Sequence, residues 1–328
     1  MWIEMRCLIT GGAGFIGSHL SDVLLARGHD VHILDDLSTG AVDNFAHLKS
    51  HPRFTYTVES ATNRSLVAEL VDMADIVYHL AAAVGVDLIV ESPARTIDTN
   101  VHCTEVVLDQ AAKKYKPVFV ASTSEVYGKS TDIPFSEDSD LVLGPTNVGR
   151  WSYAISKALD ECLALAYWKE RKLPVIVGRL FNTVGPRQTG RYGMVIPRLV
   201  RQALAGQPLT VYGDGTQRRV FCHVRDVTRV LADLMECEDV YGEVFNIDGS
   251  EEVSIAELAE HVRSLAGSES EVLMVPYDEA YEPGFEDMAR RVPNTEKIRS
   301  RTGWEPQLSL QEIITDVIEH HKMIGATV

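Results

Sequence analysis

The stretch that decides the fold is RCLITGGAGFIG, residues 6–17. It begins with a short apolar run that indicates a strand, passes through closely spaced glycines and enters a segment, 15–27, with helical spacing that stops at Gly28. Glycines in such a turn permit a tight bend and close backbone contact with a diphosphate, whose charge meets the helix N-terminus. We therefore predict a dinucleotide-binding turn whose contacts come from Gly11, Gly14, Phe15, Ile16 and Gly17.

The alternation of strand and helix continues along the first half of the chain. Segments long enough for crossover helices separate further strand-like runs at 31–35, 75–80, 117–122 and 174–180. This alternation predicts an α/β fold with a doubly wound parallel sheet over residues 1–180. After about residue 180, Pro and Gly interrupt the pattern, which predicts a smaller C-terminal lobe over 181–328, with some of this chain returning to the first domain. Helices are expected in the lobe near 194–205, 254–266 and 309–323.

Composition excludes several classes of function. The chain has 328 residues with 31 Lys and Arg against 47 Asp and Glu, which gives a formal net charge of −16. Such a field repels nucleic acid and anionic membranes, so we expect neither as a partner. The five cysteines form no CxxC pair and the histidines lack further ligands at metal spacing, so no metal is expected. Because no apolar run approaches the roughly 20 residues of a membrane span and no signal peptide is recognisable, we expect a cytoplasmic protein.

A carboxylate follows the second predicted strand. Asp35 lies at about the distance from the glycines at which an acidic residue accepts the adenosine ribose hydroxyls. A carboxylate at this place favours NAD over NADP. Asp36 is the alternative ribose contact, or is simply solvated.

Tyr153 and Lys157 lie four residues apart in a segment with helical periodicity, so both side chains share one face. A tyrosine with a reference pKa near 10 is a poor base, but an adjacent ammonium and a cationic nicotinamide stabilise its phenolate. A YxxxK pair alone is a weak signal. Here it follows the run ASTSEVYG, residues 121–128, which leaves the carboxyl end of a predicted core strand, where ligands bind in open α/β sheets.

Together these features resemble the extended short-chain dehydrogenases/reductases that act on nucleotide sugars, and the resemblance covers nearly the whole chain. It implies a Rossmann-type sheet, NAD as cofactor, a nucleotide sugar, preferably a UDP-sugar, as substrate, and a homodimer formed through helices near 95–115 and 152–170. The segments that carry it are 10–17, 79–82, Asn100, 122–128, 153–157, 181–187 and 208–219.

The resemblance also implies roles for individual residues. Thr123 is the hydroxyl partner of Tyr153 at the sugar C4 hydroxyl, and Lys157 anchors the nicotinamide ribose. Many relatives have Gly-Asp where this chain has Glu59-Ser60, so the adenine contact is changed, with Ser60 as its candidate. Further cofactor contacts are expected from Leu80, Ala81, Ala82 and Asn100.

The substrate contacts implied by the resemblance lie mostly in the second half of the chain. Asn182 and Arg219 would contact the diphosphate. Arg291 would contact it as well, and the alternative for Arg291 is that it is exposed to solvent. Thr210 and Tyr212 belong to a segment that would lie against the base. Arg191 is the one further arginine of its region expected to contact the ligand.

The residues beside the shared catalytic set bear on the reaction. Thr123-Ser124-Glu125 and Arg150 are similar to UDP-glucuronate decarboxylases, in which a 4-keto intermediate makes the C5 carboxylate a leaving group, and Arg150 would help to place that anion. We therefore expect conversion of UDP-glucuronate to UDP-xylose. The structural alternatives are that Glu125 only caps or bridges the end of the strand and that Arg150 forms a surface ion pair.

Three other functions stay open on the sequence. The first is 4-epimerisation of UDP-glucose or UDP-glucuronate, although sugar epimerases usually lack the glutamate. The second is 4,6-dehydration, since GDP-mannose-type dehydratases also carry Thr-Ser-Glu; the dTDP-glucose type is less suited because Ser124 stands in place of its aspartate. The third is a non-catalytic dinucleotide sensor, which would not need a base beside the nicotinamide.

Overall fold

The computed structural model describes residues 4–83, 93–149, 151–189, 194–280, 288 and 290–325. The strands are β1 (Arg6–Thr10), β2 (Asp30–Asp35), β3 (Phe54–Val58), β4 (Ile76–His79), β5 (Val118–Thr123), β6 (Val175–Leu180), β7 (Asn182–Val184), β8 (Leu209–Tyr212), β9 (Arg218–His223), β10 (Glu243–Ile247), β11 (Glu252–Ser254), β12 (Val272–Val275) and β13 (Arg290–Arg291). The helices are α1 (Phe15–Ala26), α2 (Arg64–Met73), α3 (Pro93–Lys114), α4 (Trp151–Arg171), α5 (Val195–Leu204), α6 (Val224–Met235), α7 (Ile255–Ala266), α8 (Tyr277–Ala280), α9 (Glu296–Thr302) and α10 (Leu310–Gly325). Short 3-10 helices span Val42–Leu48, Ser124–Tyr127 and Glu238–Val240.

Seven strands form the large sheet, in the order β3-β2-β1-β4-β5-β6-β10, and all neighbours pair in parallel. The order reverses between β1 and β4, which makes this the topological switch point where such sheets bind ligands. The predicted doubly wound parallel sheet is confirmed. Its edge strand β10 comes from far along the chain and pairs with β6.

Both faces of the large sheet are covered, because successive side chains of a strand point to opposite sides. In β1, Cys7 and Ile9 join a buried cluster with α1 and α6, whereas Leu8 joins a second cluster with α2, α3 and α4. Strands buried on both faces are apolar throughout, and this explains why the sequence shows continuous apolar runs at these places.

Most of the smaller lobe is formed by the part of the chain that comes after β6. Strand β9 pairs with β7, β11 and β13, and β8 pairs with β12. Its core lies between α5, α7, α10 and these strands. Helix α7 begins with a capping box between Ser254 and Glu257 and ends at Gly267, whose φ of 63° suits the left-handed cap. The predicted helices of the lobe are all present.

Two observations concern the described residues only. None of the helices described is both long and apolar enough to cross a membrane. The same part of the chain holds no group of three or more His, Cys, Asp or Glu residues arranged to bind a metal ion.

Candidate active site

A cavity of about 580 Å³ lies where the carboxyl ends of the central strands meet the smaller lobe. A cavity of this size can hold part of a dinucleotide or part of a nucleotide sugar. It lies where ligands bind in open α/β sheets. Most of the predicted site residues line it. They are Gly11, Gly14, Phe15, Ile16, Gly17, Asp35, Asp36, Ser60, Leu80, Ala81, Ala82, Thr123, Ser124, Glu125, Tyr153, Lys157, Asn182, Tyr212, Arg219 and Arg291.

The glycine turn presents bare backbone to the cavity. A Cβ on Gly11 would lie 2.7 Å from the backbone nitrogen of Ala81, and the residue has a φ of 73°. Gly14 caps α1 without a side-chain hydrogen bond, so the first-turn N–H groups of the helix point to the cavity without helical partners. This arrangement fits a diphosphate, because these donors and the helix dipole favour negative charge.

Asp35 stands beside this turn at the end of β2. Its carboxylate accepts hydrogen bonds from the backbone N–H of Ala13 at 2.9 Å and of Leu37 at 2.8 Å. Burial raises the pKa of this carboxyl, and these hydrogen bonds oppose the shift. Asp36 also lines the cavity and accepts from the N–H of Ser38 at 2.9 Å. Carboxylates at this edge fit the ribose of NAD and would repel a 2′-phosphate.

The Tyr153 side chain meets Thr123 at the carboxyl end of β5. Their side chains share a hydrogen bond, and the Thr123 hydroxyl also accepts from the N–H of Glu125 at 3.2 Å. Burial raises the pKa of the Tyr153 phenol well above its usual value, and the charges of Glu125 and Asp160 raise it further. The phenol is therefore protonated in this state and needs added positive charge to act as a base.

Lys157 lies one turn after Tyr153 on α4. Its ammonium contacts Asp160 Oδ2 at 2.7 Å, and the two side chains are only 3% and 0% exposed. The YxxxK pair predicted from the sequence is thus assembled on one helix face, but the lysine is held by a carboxylate that the sequence analysis did not consider.

On the sugar side of the cavity, Glu125 forms an ion pair with Arg291, with Oε1 and Nη2 at 2.7 Å. Arg291 Nη1 also lies 3.5 Å from Ser124 Oγ. The diphosphate contact that the resemblance implies for Arg291 stays a prediction, and in this structure its guanidinium pairs with Glu125. Behind it lies Asp248, which is fully buried; burial raises the pKa of its carboxyl to about 8, and the Gly249 N–H and the Arg291 charge oppose the shift.

Two of the predicted contacts do not line this cavity, and their contacts with a ligand stay predictions. Asn100 is buried beneath it: its Oδ1 accepts from the N–H of Ala83 at 2.7 Å and its Nδ2 donates to Ser156 Oγ at 3.2 Å. It therefore links the loop after β4 to the catalytic turn of α4. The Thr210 hydroxyl is occupied by Arg198 and Gln202, so it lies behind the wall rather than in it.

Two further predicted residues, Arg150 and Arg191, lie outside the described residues, and their contacts stay predictions. The cavity also has wall residues that the sequence analysis did not assign, including Arg95, Thr99, Gln188, Arg198 and Gln217. Arg198 stacks over the ring of Tyr212 with its Cζ 4.1 Å from the ring centroid. Its place on α5, near the base segment, was the available signal, but the helical spacing of the neighbouring arginines equally indicated a solvated face.

Comparison with known proteins places this site in a family. The family model described as GDP-mannose 4,6 dehydratase matches residues 8–317. The chain belongs to this family.

One relative of this chain, a UDP-N-acetyl-alpha-D-glucosaminuronate decarboxylase of Bacillus cytotoxicus, is 42% identical to it over 327 residues. The match covers 98% of this chain and 99% of the relative. UDP-glucuronic acid decarboxylase 1 of Danio rerio is 35% identical, over 96% of this chain and 72% of the relative. A crystal structure of UDP-glucuronic acid 4-epimerase from Bacillus cereus, in complex with UDP-glucuronic acid and NAD, superposes with a TM-score of 0.87 at 28% identity, over 98% of this chain and 100% of that one.

These relatives and the cavity agree on the class of protein. The chain is an enzyme of the extended short-chain dehydrogenase/reductase type, and its cofactor is NAD. The predicted resemblance to this type is confirmed, as is the preference for NAD that was inferred from Asp35.

Proposed function

We propose that this enzyme decarboxylates a UDP-linked hexuronic acid after oxidation of the sugar at C4. The observation that carries the proposal is the Glu125–Arg291 ion pair at 2.7 Å, which stands in the same cavity as Tyr153. An oxidation at C4 requires the phenol, its hydroxyl partner and the cofactor. The carboxylate at C5 requires a cation that binds it, and Arg291 is the cation beside Glu125 that we assign to this task.

The first step needs a base for the C4 hydroxyl. The Tyr153 phenolate would take this proton while the Thr123 hydroxyl orients the alcohol oxygen. Bound NAD supplies the hydride acceptor for C4 and the hydride that later reduces the 4-keto product. Because burial raises the pKa of the phenol, the positive charges of Lys157 and of the bound cofactor are needed to make it a base.

The second step breaks the bond between C5 and the carboxyl carbon. The C4 ketone is β to this carboxylate, so carbon dioxide can leave while the bonding electrons delocalise into an enolate. The C5 carbon then takes a proton, which we assign to Glu125 as a relay: its carboxylate takes a proton from water and passes it to C5. Arg291 would hold the carboxylate by charge-assisted hydrogen bonds until it leaves.

Two hexuronic acids fit this chemistry, and they differ at C2. The sequence predicts UDP-glucuronate as the substrate and UDP-xylose as the product. The B. cytotoxicus relative, which is matched along almost its full length, supports the 2-acetamido sugar as the second candidate. Incubation of the enzyme and NAD with each sugar, followed by mass analysis, tests both: loss of carbon dioxide from either supports the proposal, and loss from neither contradicts it.

The same experiment separates the other reactions. An unchanged mass with a new retention time would indicate 4-epimerisation, as the name of the B. cereus enzyme suggests for its own substrate. Loss of water from UDP-glucose or GDP-mannose would indicate 4,6-dehydration. Binding of NAD and sugar without any product would support a sensor.

We also infer a homodimer in the cytoplasm, with residues 1–180 binding NAD and 181–328 binding mainly the nucleotide sugar. Apolar side chains on the two helices support the dimer: Ile97 on α3 is 42% exposed and Leu159 on α4 is 49% exposed. Light scattering after size exclusion tests the assembly, and a monomeric mass at micromolar concentration would contradict it.

A further inference from the structure

The ion pair of Lys157 with Asp160 is buried more deeply than a stabilising surface pair would be. The two side chains are 3% and 0% exposed, and Asp160 Oδ1 has no hydrogen-bond partner among the described residues. Burying two charges costs more free energy than their attraction returns unless every polar atom is paired. A contribution to folding therefore does not by itself explain why this pair is buried.

We propose that Asp160 is a positioning residue for catalysis, which keeps the Lys157 ammonium charged and oriented beneath the nicotinamide end of the cavity. The inference rests on the proposed function, because Lys157 acts in the C4 oxidation. Asp160 itself touches neither cavity nor ligand in this account: it does not line the wall, and it acts through Lys157 alone.

The groups next to the pair do not supply a second charge that could hold Lys157. On β4, His79 is held by the hydroxyls of Thr10 at 2.8 Å and Thr104 at 3.0 Å. Burial, and then the Lys157 charge, lower the pKa of His79 to about 3, so this histidine is neutral and brings no charge to the pair. The Thr104 hydroxyl on α3 favours the charged form of Asp160, as does Lys157.

The remaining titratable neighbours are neutral or already paired. Burial raises the pKa of Cys103 on α3 to about 12, so it stays a thiol. The next carboxylate on α4, Glu161, is bound to Arg179 of β6 at 2.8 Å. Glu125, on the 3-10 helix after β5, faces the phenol and pairs with Arg291. Asp160 is thus the carboxylate bonded to Lys157 within the described residues.

Loss of this carboxylate has a direct and an indirect effect on the phenol. Directly, Asp160 is the smallest of the causes that raise the pKa of Tyr153, so its removal alone would make the phenol only slightly more acidic. Indirectly, an unpaired buried ammonium loses its proton or moves, and the phenolate then lacks its cation. The indirect effect is a whole charge and should dominate.

The test is a double-mutant cycle on the full-length enzyme with D160N, K157M and D160N/K157M, with D160E as the conservative variant. The exposed Glu170 on the same helix provides the control E170Q. For D160N we expect kcat at pH 7 to fall about tenfold, the acid limb of the kcat profile to move up by about one pH unit, and the KM of the UDP-sugar to change less than twofold. D160E should retain most of the activity, and E170Q all of it.

In the K157M background, D160N should leave kcat unchanged and raise the melting temperature, because it removes a carboxylate that has lost its partner. If D160N alone does not fold, this comparison and D160E carry the test. An additive loss of kcat in the double variant, or a wild-type pH profile in D160N, would overturn the inference.

Fluorescence titration with NAD separates this inference from the proposed function, since it requires no sugar. If the wild type converts neither hexuronic acid, the proposed function fails, and weaker NAD binding by D160N and not by E170Q would still support the role of Asp160. If the wild type is active and D160N matches it in both assays, the positioning role alone fails.

Discussion

The two ends of the cavity are built from different parts of the chain. Where the cofactor diphosphate is expected, backbone N–H groups of one continuous stretch, residues 11–17, form the wall, and this part of the wall carries no charged side chain. At the sugar end, charged side chains from distant segments meet, as Glu125 and Arg291 do. The comparison indicates that the diphosphate end depends on the geometry of one local stretch, whereas the sugar end depends on tertiary packing that brings distant charges together.

We expect the largest effect from Tyr153→Phe, at the sugar end of the cavity. The variant lacks the base for C4, so kcat should fall about 10³-fold, while NAD binds with unchanged affinity because the glycine turn is intact. Turnover of UDP-glucuronate and a fluorescence titration with NAD measure the two effects. Full activity would refute the role of the phenol.

Glu125→Gln tests whether the glutamate serves the second step. We expect release of carbon dioxide to fall about 100-fold, with C4 oxidation, followed as NADH absorbance in a single turnover, much less affected. The isosteric amide keeps the size of the side chain but loses the ion pair with Arg291. Equal losses in both steps would mean that Glu125 only supports the strand end.

At the cofactor end, Gly11→Ala is the matching change. Its Cβ would press on the backbone of Ala81, and its φ of 73° is strained for any residue with a side chain. NAD affinity should fall about thirtyfold, with the ratio of carbon dioxide released to C4 oxidised left as in the wild type. A shift in that ratio would show that the two ends are not separable. Gly28→Ala, whose Cβ meets nothing within 4 Å although its φ is 85°, provides the control for backbone strain away from the cavity.

The last prediction, Asp248→Asn, concerns the dependence of stability on pH and not turnover or binding. Burial raises the pKa of this carboxyl from 3.8 to about 8, so the native state binds a proton that the unfolded state has released between these pH values. Stability due to Asp248 should therefore fall by about 1.4 kcal/mol for each pH unit in this window and level off above pH 8. Urea unfolding at pH 6, 7 and 8 should show a smaller decline for the asparagine variant; parallel curves for both proteins would exclude a buried, protonated Asp248.

The sequence was sufficient where function depends on local spacing. The glycine turn, Asp35 and the Tyr153 and Lys157 pair lie within single strand and helix units, so their geometry follows from the regular repeat of those units. The ion pair of Glu125 and Arg291 joins residues far apart in the sequence, and no local pattern predicts which carboxylate an arginine will meet. The surroundings of Thr210 could not be predicted for a related reason: it shares a strand face with Tyr212, but only tertiary packing shows that Arg198 and Gln202 bind its hydroxyl.

The late arrival of β10 at the edge of the large sheet bears on how the protein is made. A nascent chain that has left the ribosome only as far as residue 180 carries six of the seven parallel strands and exposes the free edge of β6. Unpaired strand edges attract other chains. The segment between β6 and β10 must therefore emerge before this edge is protected, so truncation after the first domain would yield an aggregation-prone fragment rather than a minimal cofactor-binding protein.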